Sequence, residues 1–219
     1  MSEMQKQSPA GLSVGLLLAA GKGSRFDGSG RQSKLLAALP DGTPVALASA
    51  RHLLQCCARV LAVLPQHAAP PRDQHISTLV GLLASAGCEI VFCPDSDAGL
   101  GHSLAAGVRA APDARNWLVA LADMPGITPQ TMQTVAAACH QAHDIAVPVY
   151  ADQRGHPVAF GSAYYDQLAA LQGDSGARAV LRENAAAVIE VPCADAGILR
   201  DIDTPRDLAD FAPRKNSVL

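Results

Sequence analysis

Short runs of uninterrupted apolar residues alternate along this chain with longer, helix-like stretches. The runs are Ser13–Ala20, Arg59–Leu64, Glu89–Cys93, Trp117–Ala122 and Asp144–Val149. They lack the polar–apolar alternation of a half-exposed strand and so predict strands covered on both faces, as in a parallel sheet. Thr43–Cys57, Arg72–Ala86, Ser103–Ala111 and Pro129–Ala142 lie between them and read as helices. A βαβα series of this kind predicts a three-layer α/β/α sandwich around a Rossmann-like, mostly parallel sheet. After Tyr150 the pattern loosens into a strand at Pro157–Gly161, helices near Ser162–Leu171 and Ser175–Asn184, a strand at Val188–Val191 and a last helix near Thr204–Phe211. No linker or repeat divides the chain, so the expectation is one domain over residues 11–212, with a disordered start (1–10) and a short tail (213–219). Ligands of such sheets bind beyond the carboxyl ends of the strands, which directs attention to the loops that follow them.

Composition narrows the classes. Of 219 residues, 49% are hydrophobic and 17% charged, which excludes the low-hydropathy, high-charge signature of disorder. Alanine makes up roughly a fifth of the chain and aromatics only 4%, so the core should be built from small aliphatic side chains in close helix–sheet contact. A net charge of −3 argues against a general nucleic-acid binder. The apolar runs fall short of the ~20 residues that cross a bilayer, and residues 1–10 lack the apolar core of a secretory signal, so a cytoplasmic protein is expected. Six cysteines without CxxC or metal-ligand spacing read as buried, reduced thiols.

The first loop carries the chemistry. The run ends in Ala19-Ala20-Gly21-Lys22-Gly23-Ser24-Arg25-Phe26 and continues to Lys34-Leu35-Leu36. Glycines there let backbone N–H groups turn toward an anion. Lys22, Arg25, Arg31 and Lys34 face a single acid, Asp27, in an otherwise acidic chain, so a polyphosphate is the natural guest. Two familiar phosphate loops are absent. The dinucleotide fingerprint needs glycine at position 26, which is Phe26, and the P-loop needs Gly-Lys-Ser/Thr after a second glycine, where Gly28 is followed by Ser29-Gly30. Asp123 ends a buried-looking strand, which puts its carboxylate at the ligand edge, where a hard cation that uses one or two carboxylates and phosphate oxygens could bind. Asp203 is the candidate second ligand and Asp201 its alternative, although Asp203 or Thr204 also reads as the N-cap of a helix opened by Pro205.

The loop Leu16-Leu17-Leu18-Ala19-Ala20-Gly21-Lys22-Gly23-Ser24-Arg25-Phe26, with Ser33-Lys34-Leu35-Leu36, resembles the signature of the nucleotidyltransferases typified by molybdenum-cofactor guanylyl- and cytidylyltransferases. The likeness continues through Gly101–Gly107, Leu121–Pro125, Arg154–Val158, Gly173–Arg178 and Asp201–Pro205. The Ala19-Ala20-Gly21 form, the Arg154-Gly155-His156-Pro157-Val158 string and Gly173–Arg178 are similar to the cytidylyl branch. This resemblance implies a fold of the nucleotide-diphospho-sugar transferase type and transfer of CMP from CTP to the terminal phosphate of molybdenum-loaded molybdopterin, with release of pyrophosphate. It implies Mg²⁺, with Mn²⁺ as a substitute, on Asp123 and Asp203. Arg25, Lys34 and Asp123 would be catalytic. Leu18, Ala19, Ala20, Gly21, Lys22, Gly23, Ser24, Arg25 and Lys34, together with Ser103, Leu104 and Gly107, would bind the nucleotide. Arg154, Gly155, His156, Pro157, Asp174, Gly176 and Arg178 would face the pterin, and a molybdoenzyme of the xanthine-dehydrogenase type would be the partner served. Two departures stand out. The stretch from Phe26 to Ser33 is longer than the family's usual one, and His102 stands where small residues are common.

Two serine motifs are decoys. Gly101-His102-Ser103-Leu104-Ala105 approaches a nucleophile elbow, but Pro94–Gly99 before it reads as loop and the fifth position is alanine. Gly173-Asp174-Ser175-Gly176 has the serine-protease string without a matching fold pattern. Two alternatives stay open: a related transferase that uses GTP or another NTP on a different phosphorylated acceptor, and a non-catalytic nucleotide-binding accessory protein.

Overall fold

The computed structural model describes residues 13–211, so the expectations for residues 1–10 and 213–219 lie outside the described residues. Five parallel-type strands appear where the apolar runs are: β1 (Ser13–Leu18), β2 (Arg59–Pro65), β3 (Glu89–Cys93), β4 (Asn116–Leu121) and β5 (Ile145–Tyr150). Helices α1 (Val45–Leu54), α2 (Arg72–Ser85), α3 (Leu100–Arg109) and α4 (Pro129–Ala138) separate them. The second half adds β6 (Gln153–Arg154), β7 (Val158–Gly161), α5 (Tyr165–Ala169), α6 (Arg178–Glu183), β8 (Val188–Pro192) and α7 (Pro205–Ala209). Helices α1, α4, α5, α6 and α7 are shorter than their sequence patterns. α4 stops at Ala138 because the Asp144 carboxylate takes the N–H groups of His140 and Gln141 (3.1 and 2.7 Å) and turns the chain. The Ser162–Leu171 pattern becomes a tight turn followed by α5, and the Ser175–Asn184 pattern keeps only α6.

The sheet runs β3-β2-β1-β4-β7-β5-β6, with β8 paired to β5. β7 is the reversed strand, antiparallel to both β4 and β5. β6 continues its line along β5 after a break at Gly155–Pro157, where the His156–Pro157 bond is cis. Successive side chains of β1 point to opposite layers. Leu17 packs with Ala46, Leu53, Leu83 and Met132 of α1, α2 and α4. Leu16 and Leu18 pack with Leu104, Val108, Leu168 and Val180 of α3, α5 and α6. The three layers are therefore those the pattern predicts, and α1 presents Ala46 and Ala50 to the sheet at full burial. Trp117 is fully buried and donates its indole N–H to the Ala111 carbonyl (3.0 Å). Among the described residues, no helix is long and apolar enough to cross a membrane.

Register decides where the loops meet. Leu18 is level with Val63 of β2 and with Leu121 of β4. The chain after β1 and the chain after β4 therefore leave the sheet side by side, at its carboxyl edge.

Candidate active site

After β1 the Ala19 N–H still bonds the Val63 carbonyl (2.9 Å). From there to Arg25, among the described residues, no backbone N–H from Gly21 onward donates to another protein group. Gly23 turns the loop with φ +65°, a conformation that costs glycine little. Five open N–H groups beside exposed Lys22 and Arg25 make a concavity suited to an anion. The long stretch that follows folds on itself. Phe26 is buried with Leu39, Val45 and Ile202, and the Asp27 carboxylate accepts from the Ser29 hydroxyl (2.7 Å), the Ser29 N–H (2.8 Å) and the Gln32 N–H (2.8 Å). These bonds, the Ser29 hydroxyl's foremost, hold Asp27 below the ordinary carboxylate range. The one acid of the loop thus closes a turn, leaving the loop's cations uncompensated by it, and the chain returns to place Lys34 at the centre of the site.

Lys34 is only 8% exposed. Its Nζ donates to Asp123 Oδ2 (2.6 Å) and to Asp203 Oδ1 (2.7 Å). Arg25 Nη1 meets the other oxygen of Asp203 at 2.7 Å from a side chain that is 75% exposed. Burial disfavours the Lys34 charge, but the two carboxylates outweigh it and hold its pKa above that of an ordinary lysine. Asp203 is pulled the other way: burial would raise it, and the hydrogen bond and charge of Lys34, with Arg25, carry it below the usual range. Asp201 stands next to it and is raised, by burial first and then by the Asp203 charge. The N-cap ambiguity at this segment is resolved by Thr204. Its hydroxyl accepts from the Asp207 N–H (3.2 Å), while the Asp207 carboxylate takes the Thr204 N–H (2.7 Å), a reciprocal capping box for α7. Asp203 is left free to point at Lys34.

Beside this cluster opens a cavity of about 470 Å³ whose floor is the sheet itself, through Leu18, Val119 and Val158. Its polar side chains are Arg154, His156, Asp174, Ser175, Arg178 and Asp201. Burial lowers the His156 pKa, against the Val119 carbonyl and Asp123, and Arg178 adds to the lowering, so the ring is neutral at neutral pH. Its Nδ1 is buried without a hydrogen-bond partner. Arg154 reaches the cavity while paired with Glu190 (2.8 Å). The segment after β8 closes one wall with Ile198 and Leu199, and the Ile198 carbonyl accepts the His156 N–H (3.1 Å). An added methyl on Gly155 would run into that same carbonyl, so the loop approaches this wall as closely as glycine allows.

The residues named from the sequence gather in two places. Ala19, Gly21, Lys22, Gly23 and Lys34 line a small cleft between the loop and α2; Ala20 is buried, and Ser24 and Arg25 are exposed and outside its lining. Leu18, Leu104, Arg154, Gly155, His156, Asp174, Gly176 and Arg178 line the larger cavity, with Pro157 buried beneath it. Asp123, Asp203 and Lys34 join the two. Ser103 and Gly107 are not brought to either. α3 begins at Leu100 with Gly99 as N-cap, so Ser103 is no helix cap, and it is buried. Gly107 lets α3 lie on Val63 and Leu16 of the sheet. His102 sits half-buried on α3. Leu100, Met124, Ile198 and Leu199 belong to the cavity and were not singled out by sequence. Met124 lay inside the Leu121–Pro125 motif, and Leu100 stands as an apolar residue between two glycines. Among the described residues, no group of three or more His, Cys, Asp or Glu is set to hold a metal. The cysteines are free thiols; burial pushes Cys57 and Cys139 up to about 12.

Residues 15–188 match the model of a family described as the MobA-like NTP transferase domain. Nicotine blue oxidoreductase of Paenarthrobacter nicotinovorans is 31% identical over 202 residues, which cover 87% of this chain and 92% of that protein. The purine catabolism protein PucB of Bacillus subtilis is 33% identical over 120 residues, 52% of this chain and 57% of that one. Among solved structures, Rv0371c of Mycobacterium tuberculosis superposes with a TM-score of 0.75 at 26% identity, covering 93% of this chain and 98% of that chain. Its complex with manganese superposes at 0.68, with 26% identity and coverage of 91% and 97%.

Proposed function

The chain belongs to the MobA-like NTP transferase family, and on that footing we propose that it moves CMP from CTP to the terminal phosphate of molybdenum-loaded molybdopterin and releases pyrophosphate. One observation carries this reading: Lys34, Asp123, Asp203 and Arg25 form a single charged cluster between a loop of open N–H groups and a cavity holding a neutral histidine and two arginines.

The chemistry asks little proton transfer of the protein. The second pKa of a phosphate monoester is about 6, so the acceptor is already largely dianionic at neutral pH. Its oxygen attacks the α-phosphorus of the nucleotide, the bond from that phosphorus to the β-bridging oxygen breaks, and pyrophosphate leaves with the electron pair. Alignment and charge neutralisation then dominate the catalysis. The Gly21–Arg25 N–H groups, Arg25 and Lys34 would hold the β- and γ-phosphates. Arg178 and His156 would orient the acceptor, Arg178 by gripping its phosphate or lying on the flat heterocycle.

The carboxylates fit a hard divalent cation. Asp123 Oδ1 is buried without a partner, and the facing oxygens of Asp123 and Asp203 already close on one cationic nitrogen. Asp123 and Asp203 would hold Mg²⁺ or Mn²⁺, which would supply charge neutralisation and orientation at the phosphate oxygens.

The preference for CTP is supported by the likeness of Ala19-Ala20-Gly21 and Arg154–Val158 to the cytidylyl branch. The oxidoreductase name of one relative raises a redox reading, which the loop disfavours because Phe26 fills the place of the third glycine of a dinucleotide fingerprint and is buried. The test is pyrophosphate release from ATP, GTP, CTP and UTP with molybdenum-loaded molybdopterin, with Asp123→Ala as control. Release with CTP that vanishes in Asp123→Ala supports the proposal. Preference for GTP would move it to the guanylyl branch, and nucleotide binding without release would replace it by an accessory role.

A further inference from the structure

Residues 195–203 form a strap across the carboxyl edge of the sheet. It gives Ile198, Leu199 and Asp201 to the larger cavity and Asp203 to the charged cluster. The strap is pinned separately at its two ends. At the far end, the Ile202 N–H bonds the Asp123 carbonyl (2.8 Å), and Asp207 takes the N–H groups of Asp203 and Thr204 (3.2 and 2.7 Å). At the near end stands Asp195, only 4% exposed. Its Oδ1 accepts the Gly197 N–H (2.9 Å), and its Oδ2 accepts the Thr128 N–H, the Thr128 hydroxyl and the Thr131 hydroxyl, each at 2.8 Å.

Four donors on one buried carboxylate fix the turn that begins with Gly197, and the next residue, Ile198, supplies the carbonyl on which the His156 loop rests. We infer that Asp195 is a positioning residue for the acceptor half of the site: it touches no substrate, but it sets the Ile198 carbonyl and through it Gly155 and His156. This inference rests on the reading of the larger cavity as the acceptor site. In Asp195→Asn one carboxylate oxygen becomes an NH₂, which faces either the Thr128 N–H or the Gly197 N–H. The two hydroxyls can rotate to suit it, but neither of these backbone donors can. The middle of the strap loosens, while its far end, tied to Asp123 and Asp207, keeps Asp203 in place.

The kinetic test compares KM for molybdenum-loaded molybdopterin with KM for CTP. Asp195→Asn is expected to raise the first about tenfold, which is about 1.4 kcal/mol, and to leave the second unchanged. Thr131→Val, which removes one of the four bonds with little change of shape, should shift the same KM in the same direction by less. A core variant of comparable Tm loss, Leu83→Ala, should leave both KM values alone. Equal rises in the two KM values, or a fall in kcat only, would overturn the inference. A second readout needs no turnover. In protein labelled with ¹³C-histidine, the His156 Cε1–H peak, identified with His156→Gln, should move in Asp195→Asn and Thr131→Val and stay in Leu83→Ala. If that peak moves although the native protein does not use molybdopterin, the acceptor reading fails and the positioning role stands. An unmoved peak in both variants overturns the role itself.

Discussion

Replacing Lys34 by methionine keeps an unbranched chain one atom shorter and removes the charge. In the native protein one nitrogen lies 2.6 Å from an Asp123 oxygen and 2.7 Å from an Asp203 oxygen, so those oxygens are no more than about 5 Å apart. Without the ammonium, two carboxylates face each other, and at an effective dielectric of about 20 unit charges at that separation repel by roughly 3 kcal/mol. Removing one partner from a buried ion pair costs about 3–5 kcal/mol on independent grounds. Asp123 and Asp203 keep some solvent access, and Arg25 remains on Asp203, so the lower figure is expected. For a chain of this size, about 3 kcal/mol corresponds to a Tm lower by roughly 6–12 °C. The assay is urea and thermal unfolding of Lys34→Met and native protein, first with EDTA and then with Mg²⁺. The variant should be destabilised in EDTA and should recover more than the native protein on adding Mg²⁺, because a divalent cation can neutralise the pair that lost its lysine. Stability within about 1 kcal/mol of native in EDTA, well below the cost of breaking a buried pair, would refute the electrostatic argument. Equal gains from Mg²⁺ in both proteins would refute the assignment of the carboxylates as cation ligands.

Three further outcomes follow from other parts of the fold. Gly155→Ala has no room beside the Ile198 carbonyl, so acceptor-dependent turnover should be lost while CTP binding by calorimetry stays native; retained turnover would show that the loop can retreat. Asp27→Ala removes the acceptor that folds residues 27–32 and should raise the CTP KM several-fold in steady-state assays, with the acceptor KM unchanged. Burial raises Cys57 and Cys139 from 9.0 to about 12. The folded state therefore favours the neutral thiols, and their contribution to stability is complete below pH 9 and is lost as pH rises toward 12. Between pH 9 and 10.5 the unfolding free energy should fall by up to about 1.4 kcal/mol per pH unit for each thiol; Cys56 and Cys88, which burial raises to about 11, keep part of the slope in Cys57→Ala/Cys139→Ala, so a shallower fall in that variant than in the native protein would confirm the source, and equal slopes or a flat native profile would refute it.

The first half of the fold was legible because its strands are continuous apolar runs and its glycine-rich turn has a physical purpose that spacing alone can reveal. The direction of β7 was not legible: a strand covered on both faces has the same composition whichever way it runs. Helices α5 and α6 came out shorter than their patterns because tight turns at Ser162–Tyr164 and Ser175–Arg178 replace their first turns. At the site, Arg25, Lys34, Asp123 and Asp203 were visible as charges in loops that follow strands, and the structure joins them. Ser103 is no helix cap, because the helix begins three residues earlier, and the residue is buried within its second turn. Asp195 left no trace in the sequence, because a loop acid looks the same whether it is solvated or holds four buried donors.

The reversed strand β7 has a consequence for how such a site can diversify. In the proposed reading, loops that leave β1 and β4 would build the nucleotide half, whereas the acceptor half would be reached by a loop that enters a strand, with a second contribution from the segment after β8. The two halves would therefore hang on different strand ends and meet at the charged seam of Lys34, Asp123 and Asp203. On that reading, exchange of residues 154–157 and 195–199 as a pair should retarget the acceptor without rebuilding the loop after β1, which would make this edge of the sheet a junction for grafting.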